Sequence, residues 1–143
     1  MPYPEEMVTP MREELTRAGI QELRDGDEVE AFLAQKDGTS LIIINSVCGC
    51  AAGGARPGAI LALQHETTPD RAATVFAGQD VEAVAAVRAA CGEIPPSSPS
   101  MALFKDGELV HFLPRHHIEG SDPQQIAFGL VTAFDEHCAA SAS

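Results

Sequence analysis

The apolar run Leu41-Ile42-Ile43-Ile44, followed shortly by Cys48-Gly49-Cys50, constrains this chain more than any other stretch. Rich in β-branched residues and bounded by Gly38 and Asn45, the run predicts a buried strand. Residues 51–64 read as a helix interrupted by glycines and by Pro57. The two thiols therefore fall at a strand-to-helix junction. A thiol at the first turn of a helix meets unpaired backbone N–H groups and the positive end of the helix dipole, which favour the thiolate. Cys50 is near enough in the chain to attack a mixed disulfide formed on Cys48. Two other readings compete, an inert buried pair and half of a metal site. The junction is a poor place to hide two thiols, and Cys-X-Cys is not a four-ligand framework, with Cys91 and Cys138 far away in sequence. A disulfide spanning a single residue is strained by its short backbone and easily reduced, which favours a labile pair over a structural staple.

At 143 residues the chain suits one domain, residues 1–143, and is short for two. No window reaches transmembrane length, and the acidic first 14 residues lack the basic start and apolar core of a signal peptide. The expected location is cytoplasmic, where paired thiols serve catalysis or metal binding more often than structure. Nine Lys plus Arg against 21 Asp plus Glu give a net charge of -12, which argues against nucleic acid as a partner.

In chain order, Met11, Leu15 and Ala18 recur at helical spacing, either in a helix capped by Thr9 or in a longer one from near Pro4 that Pro10 kinks, ending by Gly19. Residues 27–35 predict a second helix, and both helices serve to cover a sheet. Arg56, one of the few basic residues, reads as a solvated side chain or as support for a thiolate or an anionic thiol substrate. Residues 73–77 predict a strand, and Asp80 stands where it would cap a helix over 81–90. Cys91, at its end, reads as a small buried hydrophobe. Beyond the turn-rich 95–100 segment, the Asp106-Gly107 pair joins two strands as a hairpin. Arg115-His116-His117 reads as a solvated basic loop, since adjacent histidines point apart and no carboxylate converges on them. Asp122, Pro123 and Gln125 announce a helix by cap, first-turn proline and capping box. Its apolar face includes Ala127, Leu130, Val131, Phe134 and Cys138, so Cys138 is core packing or, if that helix lies near Cys48, an additional redox thiol.

This order predicts an α/β fold of thioredoxin-like arrangement: a mixed β-sheet flanked by helices, with an N-terminal helical extension over residues 1–37.

The residues also resemble a known family. Asn45-Ser46-Val47-Cys48-Gly49-Cys50-Ala51-Ala52-Gly53 with Ala55-Arg56-Pro57 resembles the signature of the bacilliredoxins. Further matches are Val75-Phe76-Ala77-Gly78-Gln79-Asp80, Pro96-Ser97-Ser98-Pro99-Ser100, Pro114-Arg115-His116 and His137-Cys138. The resemblance implies a thioredoxin-like fold and thiol–disulfide exchange, removing bacillithiol or a similar low-molecular-weight thiol from mixed disulfides on client proteins. It makes Cys48 the attacking thiolate and Cys50 the resolving thiol. It also puts Pro99, after Ser98, in the place of a cis-proline that faces the active cysteine and offers backbone bonding to substrate. Gly49 and Arg56 join Ser98 and Pro99 as candidate substrate-binding residues. No cofactor or metal is implied; a separate reducing partner is. Gly54 departs from the family, where a bulkier residue is common, and is expected to loosen the first turn carrying the thiols. Disulfide isomerase activity is a rival within the enzyme class. A metal-binding module built on Cys48, Cys50 and Cys138, or a non-catalytic redox sensor, is a rival outside it.

Overall fold

The computed structural model describes residues 3–35 and 37–138. Helix α1 (Glu5–Thr16) starts after Pro4 and carries Pro10 inside it, so the longer of the two readings holds. Strand β1 (Gln21–Glu22) follows, then helix α2 (Gly26–Leu33), capped by the Asp25 carboxylate, which accepts the Glu28 N–H. Strand β2 (Thr39–Asn45) is buried along its whole length. The chain then passes through a π turn, Ala51–Ala55, into helix α3 (Arg56–Ala62). Strand β3 (Arg71–Phe76) and helix α4 (Val81–Ala90) come next. Strands β4 (Ser100–Lys105) and β5 (Glu108–Leu113), the short helix α5 (Arg115–Ile118) and helix α6 (Pro123–His137) complete the order.

The five strands form one mixed sheet in the order β1-β3-β2-β4-β5, with β1 and β2 parallel to β3 and the β4-β5 hairpin antiparallel. Central β2 pairs on both edges, which satisfies its backbone, and both of its faces are buried in core layers, which accounts for the apolar run 41–44. Alternation along the strands divides the core into two layers. Leu41, Ile43, Met101 and Leu103 face one side, against α3 and α6; Ile42, Ile44, Val75 and Ala102 face the other, with residues of α2 and α4.

Local chemistry explains the turns. Asp106 and Gly107 both have positive φ, 52° and 87°, as a type I′ hairpin turn requires. A one-residue register shift between Leu103 and Phe104 leaves Val110 as a bulge in β5. The capping box at Asp122 forms in full, with each side chain on the other residue's N–H.

The N-terminal segment carries the expected helices and adds β1, which joins the sheet edge beside β3; two polar strand residues carry no periodic signal. Two expectations need correction. Asp80 precedes α4, yet its carboxylate makes no cap there. It holds the buried Arg12 guanidinium through two hydrogen bonds, at 2.8 and 2.9 Å, clamping α1 to the start of α4. Finally, Gly54 does not loosen its turn. A Cβ there would stand 3.0 Å from Ile126 Cδ1, so the missing side chain lets α6 close on the π turn.

Gly58 is tighter still: a Cβ would meet Ile126 Cγ2 at 2.7 Å and the Pro123 carbonyl at 3.2 Å. In an open helix Gly→Ala gains about 1 kcal/mol. Here the overpacking reverses the sign, and Gly58→Ala is expected to lower the urea unfolding free energy by about 1–3 kcal/mol. Gly54→Ala, opposed mainly by a movable methyl end, should cost less. A gain in stability at Gly58 would contradict this packing.

Candidate active site

Sheet register brings three chain segments to one end of the molecule. Parallel pairing sets Asn45, at the end of β2, beside Phe76. Antiparallel pairing of Ile44 with Ser100 carries the 97–99 loop to the same end. Pairing of Met101 with Leu113 brings Pro114 and Arg115 there as well. Cys48 and Cys50 thus share an end of the sheet with Ser98, Pro99 and Arg115. The Ser98–Pro99 peptide bond is cis, as the resemblance implied.

Cys48 stands at the head of the helix, its carbonyl accepting the Ala51 and Ala52 N–H groups at 3.0 and 3.3 Å. Its Sγ is 3.5 Å from Cys50 Sγ, and both residues are partly exposed. Gly49 between them is exposed, and a Cβ there would meet nothing within 4 Å. The π turn follows at once, with Arg56 N–H donating to the Ala51 carbonyl. The wider turn carries the chain to Pro57 without breaking the helix, where an interruption was expected.

The two thiols are electrically unequal. Burial opposes a Cys48 thiolate, but hydrogen bonds from the Ser46 side chain, the Ala51 N–H and the Cys50 thiol and N–H outweigh it, and its pKa falls below the ordinary thiol value. Cys50 goes the other way. Its hydrogen bond to Cys48 comes first, then burial and the Cys48 charge, while Arg115 pulls against them. Of the two coupled thiols, Cys48 is therefore the more readily ionised.

Arg56 is not solvated. It is 3% exposed, with Nε on Glu14 at 2.7 Å and Nη1 on Asn45 Oδ1 and the Ser46 carbonyl, each at 2.9 Å. Its guanidinium sits under the loop that carries the thiols, and its bonds go to that loop and to α1. Ser46 in turn accepts the Cys48 N–H on its Oγ at 3.1 Å.

Cys138 is not brought to Cys48. It packs near Thr39, at the opposite end of β2, and seven strand residues at about 3.3 Å each put roughly 20 Å between the two ends. Burial raises its pKa, and burial also raises that of Cys91 in the other core layer. Cys138 thus joins neither a direct exchange nor a ligand set with Cys48 and Cys50. Among the described residues, no three His, Cys, Asp or Glu side chains converge as a metal site.

Sequence reasoning missed Arg115 and Ser46. Arg115 opens α5 instead of lying in a solvated loop; its N–H donates to Ser97 Oγ at 3.2 Å, Nη1 to the Ser98 carbonyl and Nε to Glu119, each at 3.3 Å. The charges of Cys50 and then Cys48 raise its pKa. Extending the hairpin register past Leu113 would have placed it opposite Pro99, had the bulge at Val110 been foreseen.

Comparison with known proteins now decides the family. The family described as disulphide isomerase matches residues 3–138. A bacilliredoxin of Shouchella clausii is 57% identical over 136 residues, 95% of this chain and 94% of the relative. The chain is a bacilliredoxin-family protein. A Salinibacter ruber bacilliredoxin is likewise 57% identical over 140 residues, covering 96% of this chain and 81% of its own. Fasciola hepatica thioredoxin shares the fold, with a TM-score of 0.55 at 18% identity over 80% of this chain and 99% of that one. The bacilliredoxin-family chain is thus a thiol–disulfide oxidoreductase on a thioredoxin fold. No helix among the described residues is long and apolar enough to cross a membrane.

These environments order the four thiols. Limiting iodoacetamide at neutral pH, followed by peptide mass mapping, should modify Cys48 first and Cys50 later, with Cys91 and Cys138 modified only on unfolding. Ser46→Ala should slow the reaction at Cys48 alone. Equal labelling of Cys48 and Cys50, or no effect of Ser46→Ala, would contradict the assigned electrostatics.

Proposed function

We propose that this chain removes a low-molecular-weight thiol, bacillithiol or a similar one, from mixed disulfides on client proteins in the cytoplasm. The observation that carries the reading is the dithiol 3.5 Å across with opposite pKa directions, in a chain 57% identical to a bacilliredoxin. The whole chain acts as one domain in this reading, and the exchange needs no cofactor.

The Cys48 thiolate attacks the small-thiol sulfur of the client mixed disulfide. The client leaves as a thiolate, takes up a proton and is reduced. Cys48 now carries the small thiol. Cys50 loses its proton and attacks Cys48 Sγ, closing the Cys48–Cys50 disulfide and expelling the small thiol. Another thiol or a reducing protein then restores the dithiol.

The other residues shape the approach. Gly49 leaves the space above the sulfurs open, and the Ser98–Pro99 segment offers backbone groups to the client chain. Arg56 contributes by positioning the Ser46–Cys48 loop, and contact with substrate is not part of its role. Disulfide isomerisation is the second reading, favoured by the description of the matching family. It uses the same Cys48 attack, with a client cysteine, not Cys50, resolving the adduct.

The test is mass spectrometry of the reduced protein mixed with a model protein carrying a small-thiol mixed disulfide. Wild type should release reduced client and free small thiol. Cys50→Ser should hold the small thiol on Cys48, and Cys48→Ser should lose the reaction altogether. Client reduction that persists in Cys48→Ser would reject the mechanism. Rearrangement of a scrambled disulfide protein at full rate by Cys50→Ser would favour isomerisation.

A further inference from the structure

We propose that Arg115 is the positioning residue that makes Cys50 a competent second nucleophile once Cys48 has been converted to a mixed disulfide. This rests on the dethiolation reading above and adds a residue and an order of events to it.

Arg115 is held by groups other than the two thiols. Its backbone N–H bonds Ser97 Oγ, Nη1 bonds the Ser98 carbonyl and Nε bonds Glu119, one helical turn on. None of these partners is a cysteine, so the contacts that hold Arg115 do not depend on the state of the sulfurs. Net charge offers no substitute, since the chain carries -12. Two other arginines are committed to their own partners, Arg12 to Asp80 and Arg56, beneath the thiol loop, to Glu14, Asn45 and the Ser46 carbonyl.

Cys48 Sγ lies 3.5 Å from Cys50 Sγ, and the β4–β5 register with the Ser98 contact holds Arg115 at the same end of the sheet. These are the two charged or titratable groups that bear on Cys50, and Arg115 itself carries Glu119. While Cys48 is anionic, the Cys50 thiol hydrogen-bonds to it and keeps its proton. Forming the mixed disulfide replaces the Cys48 thiolate with a neutral sulfur. The hydrogen bond and the repulsion that kept Cys50 protonated both vanish. What remains is burial, which opposes the thiolate, and Arg115 followed by the Cys50 backbone N–H, which favour it. Cys50 is thus silent during attack on the client and is switched on by the product of that attack. It then gives its proton to solvent, bonds to Cys48 Sγ, and the small thiol leaves with the bonding electron pair and is protonated. No further oxidant or reductant enters this step.

The test follows both steps in a single turnover by acid quench and mass spectrometry, using reduced protein and a model protein carrying a small-thiol mixed disulfide. Step one is the appearance of the adduct on Cys48; step two is its loss with closure of the Cys48–Cys50 disulfide. Each tenfold loss of thiolate is partly offset by a roughly threefold gain in nucleophilicity, from a Brønsted slope of about 0.4–0.5. Arg115→Gln should therefore slow step two by about three- to tenfold at neutral pH, with a much smaller effect on step one. The deficit should close at high pH, where Cys50 ionises without help. Arg115→Lys should restore most of the rate, and Glu119→Gln should raise it.

Step two unchanged in Arg115→Gln would overturn the proposal and leave the dethiolation reading intact. So would equal slowing of both steps, or a deficit independent of pH, since either would mean that Arg115 only holds the Ser98 loop. A Cys50→Ser protein whose Cys48 never carries the adduct would remove the dethiolation reading, and this proposal with it.

Discussion

The buried Arg56 guanidinium is the contact on which the reactive end of the molecule depends. It bonds Glu14 of α1, the Asn45 side chain at the end of β2, and the Ser46 carbonyl in the loop beyond. Asn45 in turn accepts the Ser46 N–H and donates to the Met11 carbonyl. A strand end, a loop and two helices are thereby held by one cation. Removing one partner from a buried charged contact costs about 3–5 kcal/mol, because the other is left unpaired. The N-terminal segment is therefore part of the site: Glu14 supports Arg56, Arg56 supports Ser46, and Ser46 sets both the backbone and the charge of Cys48.

Upon that support, topology does the rest. Because β2 and β3 are parallel while β4 runs against them, the exit of β2, the entry of β4 and the exit of β5 share one end of the sheet. Two thiols, a cis-proline loop and an arginine meet there from segments far apart in sequence. The sulfurs lie within hydrogen-bonding distance, and the hydrogen bonds reaching Cys48 lower its pKa while that of Cys50 rises. The other end of the same strand holds Cys138, about one strand length away, where burial raises its pKa.

The sheet and the thiols were legible because their signals are local. Four β-branched or leucine residues ending at Asn45 define β2, Asp106-Gly107 defines the hairpin, and Asp122 with Gln125 defines the start of α6. Cys48 and Cys50 were readable from their spacing and position, and the resemblance added Pro99. What escaped was decided by tertiary contact. Arg56 reads as a surface cation until Glu14, 42 residues earlier, is found against it. Asp80 reads as a helix cap until Arg12, 68 residues earlier, is found to claim both its oxygens. Cys138 lies on the apolar face of α6 as read, but periodicity identifies a face and not the end of the sheet that it reaches. Gly54 looked like slack, and proved to be the clearance that α6 requires.

This fold, and not the Cys-Gly-Cys spacing alone, lowers the Cys48 pKa below the ordinary thiol value. The most direct measurement is the pH dependence of alkylation at Cys48, followed by peptide mass mapping, in the native protein and in the same chain unfolded in urea. The account predicts a midpoint for native Cys48 below that of the unfolded chain and below that of native Cys50. Coincident midpoints for Cys48 in the two states would contradict it, and the reactivity would then belong to the motif and not to the structure built around it.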